Sequence, residues 1–278
     1  MKIALTGGRG RIAPLLARAL HGRGHSTALL SRRPGDGLLP MEAMGNGFDW
    51  VIHCGWNCVP FTAEQNPVEA GSGNLPALEE LVARSGSARV LFMSSGAVYG
   101  ETGSVPADEA REPAPLGAYA RGKLAGERFL SARMGERLLI VRVTNLLLPV
   151  ISADCPQGVL PRMAAAAREG REFDVWGDGH AMKDYLDFQD FAHGISALLG
   201  SGCHGLFNLG SGESLSVIQL VRIVEQVSGR GLRLRFLPRF PWDVEEVHID
   251  ISAIRRCAGW APSRPLREAV VHCVEALL

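Results

Sequence analysis

Short apolar runs alternate with amphipathic stretches through the first half of the chain. Residues 2–5, 26–30, 50–54, 90–93 and 138–143 are short and rich in apolar residues, the pattern of strands buried on both faces of a parallel sheet. Between them, residues 12–21 place Ile12, Leu15, Leu16, Ala19 and Leu20 at helical spacing, and residues 75–84 and 119–134 also read as helices. This rhythm predicts a doubly wound parallel α/β sheet. Pro14 falls in the first turn of the first helix, where its missing N–H costs little. Beyond about Pro149 the rhythm loosens. Residues 157–169 and 215–228 read as helices, and 173–176, 206–209 and 232–237 as extended pieces. The expected division is a sheet domain over residues 1–150 and, over 151–278, mostly a smaller α/β lobe partly interleaved with the sheet.

Size and composition fit that architecture. A chain of 278 residues, 46% hydrophobic, can bury a full core. Lys plus Arg equals Asp plus Glu, 29 each, so no global field attracts nucleic acid or a membrane surface. The apolar run at the N-terminus is short for a signal peptide, and no stretch approaches the roughly 20 apolar residues of a membrane span. The six cysteines, Cys54, Cys58, Cys155, Cys203, Cys257 and Cys273, form no C-x-x-C pair. His53, Cys54 and Cys58 could be read as a zinc site, but reduced thiols in a cytoplasmic protein without metal are the favoured expectation.

Gly7, Gly8 and Gly10 lie between the first strand and the first helix. There glycines permit a tight turn and let backbone N–H groups approach a pyrophosphate, which the helix N-terminus also favours. Gly7, Arg9, Gly10, Arg11 and Ile12 are therefore candidate cofactor contacts on a Rossmann sheet. The acidic residue that binds the ribose 2′-hydroxyl of NAD is absent, and the second strand ends in Ser31-Arg32-Arg33. A hydroxyl and two guanidinium groups suit a 2′-phosphate, so NADP(H) is favoured over NAD(H).

Tyr119 and Lys123 stand at i and i+4, on one helical face. A phenol with a pKa near 10 is a poor proton shuttle at neutral pH, and a neighbouring ammonium, together with a cationic nicotinamide, lowers it. Ser95, which follows a buried strand, can hydrogen-bond the reacting oxygen. Tyr119, Lys123 and Ser95 are the candidate catalytic residues.

With these motifs in order along the chain, the sequence resembles the extended short-chain dehydrogenase/reductases, the nucleotide-sugar epimerases, dehydratases and ketoreductases. The segment Asp49-Trp50-Val51-Ile52-His53-Cys54-Gly55 resembles the fourth-strand segment of that family, which implies cofactor contacts at Cys54 and Gly55. Asn66-Pro67 and Asn74 resemble its following helix. Arg142-Val143-Thr144-Asn145, Trp176-Gly177-Asp178-Gly179, Lys183-Asp184-Tyr185 and the segment from Asn208 to Glu213 resemble its substrate-side signatures. The resemblance implies that Asn145, Trp176, Lys183 and Arg239 meet a nucleoside-diphosphate sugar, with hydride transfer at C4. It also implies a homodimer through the helices at 75–84 and 119–134, with Ala77, Leu78, Leu81, Leu124 and Arg128 as contacts.

Departures narrow this. Ala13 replaces the third motif glycine, and the stretch between Arg33 and Asp49 cuts the third strand and its helix short. Gly96 and Ala97 stand where family dehydratases carry an acidic pair, and Gly96 where C3/C5 epimerases carry a cysteine. Lys183 replaces the arginine that grips the substrate pyrophosphate, keeping its charge but not its fork. A 4-ketoreductase and a 4-epimerase remain, and Arg32 and Arg33 tilt the balance toward the reductase. The alternatives are a reductase of a non-sugar carbonyl compound and, ranked lower because the Tyr–Lys pair is intact, a non-catalytic NADP-sensing regulator.

Overall fold

The computed structural model describes residues 1–45, 47–148 and 158–278. Strand β1 (Lys2–Thr6) leads through the glycine loop into α1 (Ile12–His21), followed by β2 (Ser26–Ser31). The shortened third unit survives as β3 (Leu39–Pro40), two residues long, and a 3-10 turn, Met41–Gly45. β4 (Trp50–His53) comes next, then three helices, α2 (Pro60–Gln65), α3 (Pro67–Ser72) and α4 (Leu75–Arg84). Asn66 caps α3, its side chain accepting from the Glu69 N–H, so the Asn-Pro pair starts a helix of its own. β5 (Arg89–Ser95), α5 (Ala118–Met134) and β6 (Leu138–Val143) complete the first half. Every strand expected there from its apolar run forms within two residues of its expected ends.

In the second half, β7 (Asn145–Leu147) precedes α6 (Val159–Glu169), β8 (Glu172–Trp176), β9 (Met182–Asp187) and α7 (Phe188–Gly200). Then come β10 (Gly205–Leu209), β11 (Ser214–Ser216), α8 (Val217–Ser228), β12 (Arg233–Leu237), β13 (Glu246–Val247), α9 (Ser252–Ala258) and α10 (Leu266–Glu275). The expected start of α6 at Gln157 and the expected division between residues 150 and 151 lie outside the described residues. α8 begins at Val217 rather than Leu215, because Ser216 and Gln219 close a reciprocal capping box and Leu215 belongs to β11. α7 and α10 are additions to the expected elements. Their buried positions, such as Phe188, Phe191, Ala192 and Ile195 in α7, do carry helical spacing.

Seven parallel strands make one sheet in the order β10-β6-β5-β4-β1-β2-β3. Chain from the second half thus supplies the edge strand beyond β6. The two faces bury separate cores, one around Ile3, Leu16, Ile52, Val141 and Phe191, the other around Leu78, Leu81, Phe92, Leu130 and Ile140. A further core gathers Met163, Phe173, Tyr185, Leu220 and Val270. β7, β9, β11 and β13 form a small sheet, and β8 pairs with β12.

Two expectations need correction. Leu78 and Leu81 are fully buried and Leu124 is 8% exposed, all against the sheet, so they are not free to form a contact between subunits. Cys203 and Cys257 are joined as a disulfide between the loop after α7 and α9, while Cys54, Cys58 and Cys273 are free. A pairing across 54 residues is set by tertiary proximity and has no spacing signature. Among the described residues, no cluster of three His, Cys, Asp or Glu side chains could hold a metal, and no helix is long and apolar enough to cross a membrane.

Candidate active site

The sheet reverses its order at β1, which lies between β2 and β4, and such a reversal leaves a crevice at the carboxyl ends of the strands. Gly7 sits at the crevice floor with φ of 76°, and a Cβ there would come 2.9 Å from the Gly55 nitrogen. No side chain fits between the glycine loop and the segment after β4. The Gly8 N–H donates to the Leu30 carbonyl at 3.0 Å, tying the loop to β2. Beyond the loop, Arg9 Nε donates to the Arg33 carbonyl at 3.0 Å, and its guanidinium lies 3.4 Å from Asp36. The Arg33 N–H donates to Ser31 Oγ at 3.1 Å. Arg9 and the Ser31–Arg33 turn therefore meet in space, whereas Arg32 turns toward Glu80 on α4, 3.4 Å away.

The crevice opens into a cavity of about 780 Å³. Gly7, Gly10, Arg11, Ile12, Cys54, Ser95, Tyr119 and Lys123 line its sheet side, and Asn145 and Lys183 its far side. Arg9, Ser31, Arg32, Arg33, Gly55, Trp176 and Arg239 do not line it.

Ser95 ends β5 and its hydroxyl accepts from the Ala97 N–H at 3.2 Å, capping a 3-10 turn. The same hydroxyl lies near the Tyr119 phenol and helps hold its pKa down. Burial pushes the Tyr119 phenol up to about 12, opposite to the expected direction, and Ser95 offsets this only in part. Lys123 does not counter that burial, because its ammonium is engaged elsewhere. Lys123 points its ammonium at the Met93 carbonyl, 2.7 Å away, with Nζ 5.9 Å from the Tyr119 ring centre. Lys123 is 5% exposed, and burial pulls its pKa down to about 7, with Cys54, Cys58 and Glu127 pulling the other way. His53, behind Cys54, hydrogen-bonds Thr6 through Nδ1 at 2.8 Å, and burial depresses its pKa to about 3.

Beneath this wall runs a buried polar chain. Glu127 receives Arg142 Nε at 3.0 Å and Nη2 at 2.6 Å, and the Ser94 hydroxyl also donates to it. The Arg142 guanidinium stacks over Tyr99, whose hydroxyl donates to Asn208 Oδ1 at 2.7 Å. Arg142 and Asn208, singled out within motifs, thus bind neighbouring elements together rather than facing the cavity.

On the far side, Asn145 donates to the Asp184 carbonyl at 2.9 Å. The Asp184 carboxylate accepts from Thr144 Oγ1, the Ser211 N–H and hydroxyl, and the Gly212 N–H; burial still pushes it up to about 7. Lys183 donates to Asp243 at 2.9 Å and to the Val244 carbonyl, while Arg239 pairs with Glu245 and donates to the Asp243 carbonyl at 3.1 Å. Trp176 reaches the cavity through an aromatic stack: it lies on Phe240, which lies on Trp242 with ring centres 4.6 Å apart. Phe240 and Trp242 line the cavity with Phe61, Trp56 and Cys58. The sequence did not single out the four aromatics, since isolated aromatic residues carry no spacing signal, and it raised Cys58 only as a possible zinc ligand.

A family model described as the NAD dependent epimerase/dehydratase family matches residues 3–210. A UDP-glucose 4-epimerase from Azospirillum brasilense is 32% identical over 211 residues, covering 68% of this chain but only 60% of that protein. A dTDP-4-dehydro-6-deoxy-D-allose reductase from Streptomyces sp is 28% identical over 232 residues, 79% of this chain and 71% of that one. The solved UDP-glucose 4-epimerase of Thermus thermophilus, in complex with NAD, shares the fold with a TM-score of 0.88 over 100% of this chain and 99% of that chain, at 23% identity.

Proposed function

The chain belongs to the NAD dependent epimerase/dehydratase family, and we propose that it moves hydride at C4 of a nucleoside-diphosphate sugar, as a 4-ketoreductase or 4-epimerase. The reading rests on one observation: Ser95, Tyr119 and Lys123 line the same cavity as the glycine loop. The relatives' names, epimerases beside a reductase, leave both outcomes of that chemistry open. Residues 1–150 are the cofactor half and most of 151–278 the substrate half. The protein works as a homodimer, paired through the solvent faces of α4 and α5.

Gly7, Arg9, Gly10, Arg11 and Ile12 hold the dinucleotide pyrophosphate, and Cys54 and Gly55 lie under the cofactor. Ser31, Arg32 and Arg33, with Arg9 beside them, take the 2′-phosphate of NADP(H), Arg32 after leaving Glu80. A nicotinamide held by these residues would supply or accept the hydride, and its positive charge when oxidised would lower the Tyr119 pKa. Tyr119 exchanges a proton with the C4 oxygen, which Ser95 orients by hydrogen bond. Lys123 holds the nicotinamide ribose and stabilises the phenolate. Asn145 meets the sugar, Lys183 and Arg239 neutralise the pyrophosphate after releasing Asp243 and Glu245, and Trp176 stands by the base.

The test is conversion of a panel of NDP-hexoses and their 4-keto forms, with NADPH and NADH titrated by tryptophan fluorescence. Product with cofactor oxidation means the reductase, and product without it the epimerase. No product from any sugar sinks the proposal.

A further inference from the structure

Trp56 has no part in the chemistry above, yet its indole forms the seat of Lys123. Lys123 Nζ lies 4.1 Å from the Trp56 ring centre and 5.1 Å from that of Phe92. Trp56 packs edge-on against Phe92 at 5.9 Å. The indole lies along α5 at Gly122 and Gly126, where a Cβ would stand at ordinary contact distance from it, 3.5 Å from Cζ2 and 3.4 Å from Cη2; the close neighbours of those two positions are the Ala70 carbonyl and, at 3.0 Å, the Phe92 ring. Two glycines four residues apart share a helical face. They weaken an exposed helix by about 1 kcal/mol each, and here they let α5 close on the Ala70 carbonyl and the Phe92 ring with the indole alongside. The ammonium is otherwise enclosed. The Met93 carbonyl accepts one of its protons, and the titratable groups facing it are His53, Cys54, Cys58, Tyr119 and Glu127.

We propose that Trp56 is a positioning residue for Lys123: its indole, packed between Phe92 and α5, keeps the ammonium charged and fixed one helical turn from Tyr119. An aromatic face attracts a desolvated cation strongly, and it does so without accepting a proton or titrating. Such a contact opposes the fall that burial imposes on Lys123. The importance of Lys123 to turnover rests on the function proposed above; its seat does not.

The chain has three lysines, Lys2, Lys123 and Lys183, so their titration can be followed one by one. The experiment is pH-dependent acetylation of the intact protein with peptide mass mapping, on the parent and on Trp56→Leu and Trp56→Phe. The leucine variant should lower the Lys123 midpoint by about one pH unit, a tenfold loss of charged form or about 1.4 kcal/mol. Phenylalanine, which keeps a ring, should lower it by less, and Lys183 should not move. An unmoved Lys123 midpoint in the leucine variant overturns the proposal, and so does an equal shift of Lys183, which would signal general loosening. In parallel, turnover of the leucine variant should begin to fall about one pH unit below the point where the parent's does, and phenylalanine should partly restore it. A shifted midpoint without turnover in any of the three proteins counts against the function alone. Turnover with an unshifted midpoint counts against Trp56 alone.

Discussion

On the sheet side of the cavity, Lys123 is held by a carbonyl and an aromatic face; on the far side, Lys183 is held by the Asp243 carboxylate and a carbonyl. Both ammonium groups are pulled down by burial, but only Lys183 has a counter-charge within hydrogen-bond reach. The sheet side is dry and pre-set, with its groups on α5 and at the ends of β4 and β5. The far side is locally neutralised, its cations already committed to Asp243 and Glu245. Under the proposed function, the far side is the binding wall, which exchanges partners when an anion arrives, and the sheet side the reacting wall, which must hold its geometry.

The contrast predicts where substitutions act. Tyr119→Phe should cost turnover about a thousandfold, within the usual range for a general acid/base, while fluorescence titration shows dinucleotide binding intact. Retained turnover would remove the chemistry from the sheet side. Arg142→Met should cost about 3 kcal/mol of stability in urea unfolding, because it strands Glu127 as an uncompensated buried charge. Its parent pair is 4% and 6% exposed, so a loss below about 1 kcal/mol, the range of an exposed pair, would show that water reaches this wall.

The two sides should also respond oppositely to pH. Lys123 has its folded pKa lowered to about 7 from a free value near 10.4. Its burial penalty is therefore full below pH 7 and fades as pH rises, so the parent should gain about 3 kcal/mol relative to Lys123→Met between about pH 7 and pH 9.5. Asp184, raised to about 7, runs the other way: its contribution declines as pH rises from near 4 to 7. Urea midpoints of Lys123→Met and Asp184→Asn against pH would expose parallel slopes if the contrast is wrong. The smallest effect is expected on the far side, where Lys183→Ala should raise KM about tenfold with kcat little changed, as for a group that binds ground and transition states alike. A fall in kcat instead would make Lys183 part of the reacting wall.

Local order made the sheet half legible. Strands of a covered parallel sheet are mostly apolar, so β1, β2, β4, β5 and β6 announce themselves by short apolar runs, and the helical period brings Tyr119 beside Lys123 without any tertiary information. The glycine loop is legible for the same reason, since Gly7 answers a local turn as well as a close approach. The far side is different. β7, β9, β11 and β13 are at most six residues long, and their cross-connections, Asn145 to Asp184 or Lys183 to Asp243, join residues about 40 to 60 positions apart.

The sequence by itself determined the parallel sheet, the glycine turn and the Tyr119–Lys123 face, because those depend on backbone geometry and on spacings of a few residues. Only the tertiary structure decided that Leu78, Leu81 and Leu124 face inward, that Cys203 meets Cys257, and that an indole 67 residues earlier seats Lys123. Those depend on which surfaces meet when layers pack. Pairings of that kind, set by shape and exclusion of water, leave no period along the chain.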